Sequence, residues 1–182
     1  MRGFAGVVLG LTVCFSATVL SAAELPLDIQ VLDASLGDPD SATVASGSLD
    51  SHFEAFNYRD TRVRGGSFWL RLQPMAGATP AGVPTVVVHK GRHLQVGLYA
   101  SDSGEITPLP LATELPGFRG VHDAVFILPA ALASQPLYAR VDPMGRGAEE
   151  LRFTTSTLDE SLARGVEHAR MIALAFGALM AT

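Results

Sequence analysis

The chain has 182 residues, of which 48% are hydrophobic and 17% charged, with 18 glycines and 11 prolines. One packed domain is the expectation at that length, and the apolar fraction excludes a disordered acidic chain. A net charge of −5 lacks the basic patch with which a general nucleic-acid binder displaces phosphate counterions. The single cysteine excludes a disulfide framework and a cysteine-based zinc site.

Met1 to Ala23 reads as a secretory signal peptide. Arg2 supplies the positive start, Phe4 to Leu20 carries no charge, and Ser21-Ala22-Ala23 offers small residues ahead of a cut before Glu24. A retained anchor is the competing reading, but the uncharged run is short against the roughly 20 residues a span needs. Cys14 lies inside the run and leaves with it, and the loss of Arg2 makes the mature net charge −6.

From there the chain reads as β-structure. Ser67 to Leu72 alternates, with Phe68, Leu70 and Leu72 on one face and Trp69 and Arg71 on the other. Pro84 starts Thr85-Val86-Val87-Val88, a β-branched run of the kind buried on both faces. Leu94 to Tyr99 alternates again and is followed by a turn at Ser101-Asp102-Ser103-Gly104. Ala124 to Leu128 ends at Pro129, Leu137 to Val141 places Tyr138 and Arg140 outward, and Leu151 to Thr155 is the last strand. A short helical segment is expected near Ser48 to Phe56. Close spacing of such strands predicts an all-β fold, a jelly-roll-like antiparallel β-sandwich between about Leu27 and Thr155.

Thr157-Leu158-Asp159-Glu160 matches a capping box, with Thr157 capping a helix and Glu160 reaching back. Leu158, Leu162, Val166, Ala169 and Ile172 then recur at helical spacing, and Met171 to Thr182 is apolar throughout except its last residue. About a dozen apolar residues are too few to cross roughly 30 Å of hydrocarbon. A helix apolar on every face finds no burial on a small domain, so the segment is expected to be the start of a transmembrane helix.

Catalytic signatures are missing. The chain has no Gly-x-Ser-x-Gly elbow, no P-loop and no dinucleotide fingerprint. His89-Lys90-Gly91-Arg92-His93 sets two histidines four apart, but in a glycine-broken turn beside two cations, which opposes a metal. The acidic stretch Asp33 to Asp50 lacks the spacing of a calcium loop and reads as solvated. No catalytic residue, metal or cofactor is expected.

Trp69, Tyr99 and Tyr138 fall opposite the aliphatic positions of their strands, alongside Arg71 and Arg140. Such a set is equipment for stacking a sugar or gripping a carboxylate, with Arg119 in a glycine-flanked loop near the same rim. The competing account makes these aromatics packing residues beneath another element.

The order of these runs is Phe68 to Leu72, Val86 to Leu98-Tyr99, Val125 to Pro129 and Leu137 to Val141, set between a leader and a membrane-directed helix. Over roughly residues 27 to 176 it resembles the periplasmic extracellular type 2 domain of bacterial seven-transmembrane receptors with diverse intracellular signalling modules. The resemblance implies a jelly roll similar to carbohydrate-binding modules, placed ahead of seven helices and a diguanylate cyclase or histidine kinase. No Gly-Gly-Asp-Glu-Phe motif occurs, so any such output is expected downstream of these residues. The expected organisation is a leader over 1–23, a sensor sandwich over 24–156 and a membrane-entering helix over 157–182. Expected partners are a small ligand and, through the C-terminal helix, the inner membrane at its periplasmic face. A homodimer stays open, as does a free-standing carbohydrate-binding-like module or receptor remnant.

Overall fold

Side chains on a strand point alternately to its two faces, so a strand apolar at every second residue must find one cover. Among the described residues nine strands divide between two sheets to supply it. The computed structural model describes residues 27–57, 66–74, 82–91, 93–102, 105–112, 123–132, 135–144 and 151–180. The leader over 1–23 and Arg119 lie outside the described residues.

The strands are β1 (Leu27–Leu32), β2 (Phe53–Ala55), β3 (Phe68–Pro74), β4 (Pro84–Lys90), β5 (Leu94–Asp102), β6 (Glu105–Pro108), β7 (Ala124–Ile127), β8 (Leu137–Pro143) and β9 (Leu151–Thr157). One sheet has six strands in the order β2-β1-β3-β8-β5-β6, and the other has three in the order β7-β4-β9. Every pairing is antiparallel. From β3 onward the chain crosses from one sheet to the other at every connection except the β5–β6 hairpin. The protein is a two-sheet β-sandwich.

The expected alternation places the core. Phe68, Leu70 and Leu72 of β3 join Leu137, Ala139 and Val141 of β8 and Val96 and Leu98 of β5 on the inner face of the large sheet. They meet Val86 and Val88 of β4, Phe126 of β7, and Leu151 and Phe153 of β9. The run Val86-Val87-Val88 is buried on both faces, as its β-branched composition predicts: Val87 turns outward into a separate cluster with Ala112 and Val125.

Two further elements cover the outsides. A stretch from Asp33 to His52 folds over the outer face of the large sheet and contains the short helix α1 (Ser41–Ala45). The expected short helical segment at Ser48 to Phe56 is a 3₁₀ turn at Asp50–His52 leading into β2, while a further 3₁₀ turn lies at Ala34–Leu36 and the α-helix at 41–45. Five residues are too few to show a helical period. Their helix depends on Asp40, which caps it by accepting the Thr43 N–H at 2.7 Å. That bond holds the exposed Asp40 carboxyl below its ordinary value.

At the other end α2 (Leu158–Met180) starts directly after β9. The capping box forms as read: Thr157 Oγ1 accepts the Glu160 N–H, and Glu160 Oε2 accepts the Thr157 N–H, both at 3.3 Å. Leu158 and Leu162 pack on the outer cluster of the small sheet, and the Ser161 hydroxyl lies 3.3 Å from that of buried Thr85. No helix among the described residues is long and apolar enough to cross a membrane.

Core and cap make different demands. Leu70→Ala, at a fully buried position between the sheets, is expected to lower unfolding free energy by about 2–5 kcal/mol. Thr157→Ala, which removes only a cap, is expected to cost about 1 kcal/mol. Denaturant titration of the two variants against the parent checks both values.

Candidate functional site

The sequence-predicted residues converge on the outer face of the large sheet. Register pairs Trp69 with Arg140 and Arg71 with Tyr138 across β3 and β8, and Tyr138 with Tyr99 across β8 and β5. Five of the six named residues therefore share one face. Arg140 also stands opposite Gly97, and a Cβ there would meet the Tyr99 hydroxyl at 2.9 Å, so the bare glycine accommodates that ring. Trp69 and Tyr99 rings lie 5.7 Å apart and tilted by 51°.

This face is not an open platform. Trp69 is 1% exposed and Tyr138 3%, because Leu32, Val44 and Leu49 pack over them together with Phe53. Tyr99 is half-buried at the edge of the same cluster. Trp69 donates its indole N–H to the Pro39 carbonyl of the covering segment at 3.0 Å, which satisfies the one polar atom it buries. The packing account of these aromatics therefore describes their present state, with the 33–52 stretch as the element they support.

Both arginines reach from the sheet to that cover. Arg71 Nη1 lies 3.0 Å from Asp50 Oδ1, and its Nε donates to Gln30 Oε1 at 3.0 Å. Its guanidinium stands 4.9 Å from the Phe53 ring centre. Arg140 Nη2 lies 2.7 Å from Asp38 Oδ2, and its Nε donates to Asp142 Oδ1 at 3.1 Å. Its guanidinium sits 5.7 Å from the Trp69 ring centre. Burial opposes the Arg140 charge, but Asp142 and Asp38 more than offset it and raise its pKa above the ordinary value.

Asp38, Asp50, Gln30 and Phe53 also belong to this site, and the sequence pattern does not single them out. The acidic stretch Asp33 to Asp50 reads as solvent-facing loop, and nothing local shows that two of its carboxylates meet arginines from distant strands. The available signal was indirect: outward Trp69 and Tyr138 require a cover, and the longest segment between the first strands is the one that supplies it.

The histidine pair resolves differently. His89 Nδ1 lies 2.9 Å from Asp123 Oδ2, and its Nε2 lies 3.2 Å from Thr154 Oγ1. In the tautomer whose Nδ1–H donates to Asp123, Nε2 accepts a hydrogen bond from the Thr154 hydroxyl. Thr154 stands within β9, paired with Val87 in regular register, not on the strained turn that exposes a nucleophile. No group of three or more potential metal ligands occurs among the described residues. His89 thus ties the β7 approach to β4 and β9, on the opposite side of the sandwich from the arginines.

No family model matches the chain, and no curated protein or solved structure is significantly similar to it.

Burial also gives the covered face a signature in alkali. Desolvation raises the Tyr138 phenol above its ordinary 10.0, the Asp50 charge adds to this, and the Arg71 charge opposes it. Above pH 10 the unfolded chain gives up this proton while the folded one keeps it, so folding stability falls as pH rises. Tyr138→Phe is expected to flatten that decline. Urea midpoints measured between about pH 9 and pH 11 for parent and variant check it.

Proposed function

We propose that this chain is the periplasmic ligand-sensing input domain of a membrane signalling receptor. On this reading Met1 to Ala23 directs export, the sandwich is a jelly roll that binds a small sugar or carboxylate, and α2 carries its state to the inner membrane. The resemblance set out above suggests a diguanylate cyclase or histidine kinase as the output. The sandwich itself is read as a binding domain and not an enzyme.

One observation carries the reading: α2 leaves the domain. Its 23 residues extend about 34 Å at 1.5 Å per residue, and among the described side chains the packed ones lie in the first turns. Beyond Arg164 it presents Val166 at 61% exposure and Leu174 at 62%, along with exposed Met171 and Ile172. A soluble helix would turn these inward. Exposed apolar side chains in such number call for a partner phase, and a bilayer supplies one.

The root of the helix is built to transmit. Thr85 of the central strand β4 donates its hydroxyl to the Ser156 carbonyl at 3.0 Å and lies within hydrogen-bond distance of Ser161. Ser156 donates in turn to Glu160 Oε2 at 3.0 Å, and Arg164 reaches back to Ser156. Burial would raise the Glu160 carboxyl, but these hydrogen bonds and the Arg164 charge hold it low. A shift of β4 against β9 is thereby passed directly to the first turn of α2.

Fractionation tests the reading. In a bacterial host the full chain should remain with the inner membrane, with its sandwich open to protease in spheroplasts. A version ending at Ser156 should be released by osmotic shock. Recovery of the full chain in the cytosol, or its complete release with the shock fluid, would overturn the proposal.

A further inference from the structure

Two guanidinium groups on one sheet face, each neutralised from above, are an unusual way to hold a cover. Arg71 and Arg140 stand diagonally on adjacent strands, a separation of about 7–8 Å by general strand geometry. Each takes one partner from the sheet itself, Gln30 for Arg71 and Asp142 for Arg140. Each takes its other partner from the covering segment, Asp50 and Asp38 respectively. Asp38 and Asp50 flank α1, so the cover is pinned on both sides of that helix by a carboxylate paired with an arginine.

We propose that Arg71 and Arg140 form a binding site for a small di- or tricarboxylate, which binds by exchanging with Asp38 and Asp50. This deepens the sensing reading given above and rests on it. The covering segment holds the place of the ligand in the resting protein. Exchange is chemically balanced, because a ligand carboxylate replaces an aspartate carboxylate and every charge-assisted hydrogen bond is remade.

Exposure favours exchange at these two contacts. The Asp38 and Asp50 side chains are 44% and 52% exposed, whereas that of Arg71 is 16%. Solvent screens the aspartate end of each pair, so the contacts are individually weak and within reach of a solute. The guanidinium ends are held by the sheet and by the Phe53 and Trp69 rings, so they stay in position when their partners leave. A ligand with two carboxylates pays the cost of association once for both exchanges. A neutral sugar has nothing to exchange.

Release at Asp38 reaches Trp69 directly, since the Pro39 carbonyl beside it accepts the indole N–H. Trp69 is the only tryptophan of the chain and is almost fully buried, so its emission reports the state of the cover.

The test titrates the full chain in detergent with citrate and succinate at constant ionic strength, with acetate and glucose as controls. Citrate or succinate should red-shift Trp69 emission and increase its quenching by iodide, while acetate and glucose do neither. Asp38→Asn and Asp50→Asn, which weaken the internal competitors, should each bind citrate at least tenfold more tightly. Arg71→Gln and Arg140→Gln, shown folded by thermal melts, should bind it at least tenfold more weakly. Absence of any response to citrate or succinate in both the parent and a folded Asp38→Asn/Asp50→Asn protein would overturn the proposal. So would equal citrate affinity in the parent and both aspartate variants. A response to glucose that survives both arginine substitutions would also overturn it while leaving the sensing reading intact. Failure of that broader reading would appear separately, as loss of membrane retention in the fractionation.

Discussion

A six-stranded sheet whose central strands are buried on both faces is the constraint from which the rest of the structure follows. Its inner face is an ordinary aliphatic surface that meets the smaller sheet. Its outer face carries Trp69 and Tyr138 in the two central strands, and aromatic area of that size cannot be left in water without a large cost. The chain answers with the segment between β1 and β2, which lays Val44 and Leu49 on the rings. Arg71 and Arg140 flank those rings and anchor the segment at Asp50 and Asp38. Cover, aromatic floor and arginine pairs are one cooperative arrangement.

The small sheet poses the same problem with a different answer. Val87 and Val125 face outward and are covered by Ala112 and by the first turns of α2, with Leu158 and Leu162 as the contacts. The helix is fastened to the sandwich at its root, where the Thr85–Ser156–Ser161 hydrogen bonds sit. Past that point Val166, Met171, Ile172 and Leu174 are exposed.

These two coverings lie on opposite sides of the molecule. The packed residues that the two sheets share fill the interior between them. The His89 tie to Asp123 and Thr154 lies on the helix side.

Local periodicity decided a good deal of this protein in advance. Alternation in 68–72, 137–141 and 94–99 assigned the inward and outward residues correctly, since a period of two is a property of the strand and not of its neighbours. The capping box at Thr157 and Glu160 was legible because every partner lies within three residues. β1, β2 and β6 were not read. Leu27 to Val31 does alternate, with Leu27, Ile29 and Val31 toward the core and Asp28 and Gln30 on the other face, so β1 was legible and went unread, whereas the three residues of β2 are too few for any period. The site shows the same division. Sequence alone placed Trp69, Arg71, Tyr138 and Arg140 on a common face, but only tertiary structure decided that this face is covered. The pairs that decide it, Arg71 with Asp50 and Arg140 with Asp38, join residues 21 and 102 positions apart. No local pattern records a contact that exists only after the chain has closed over its own sheet.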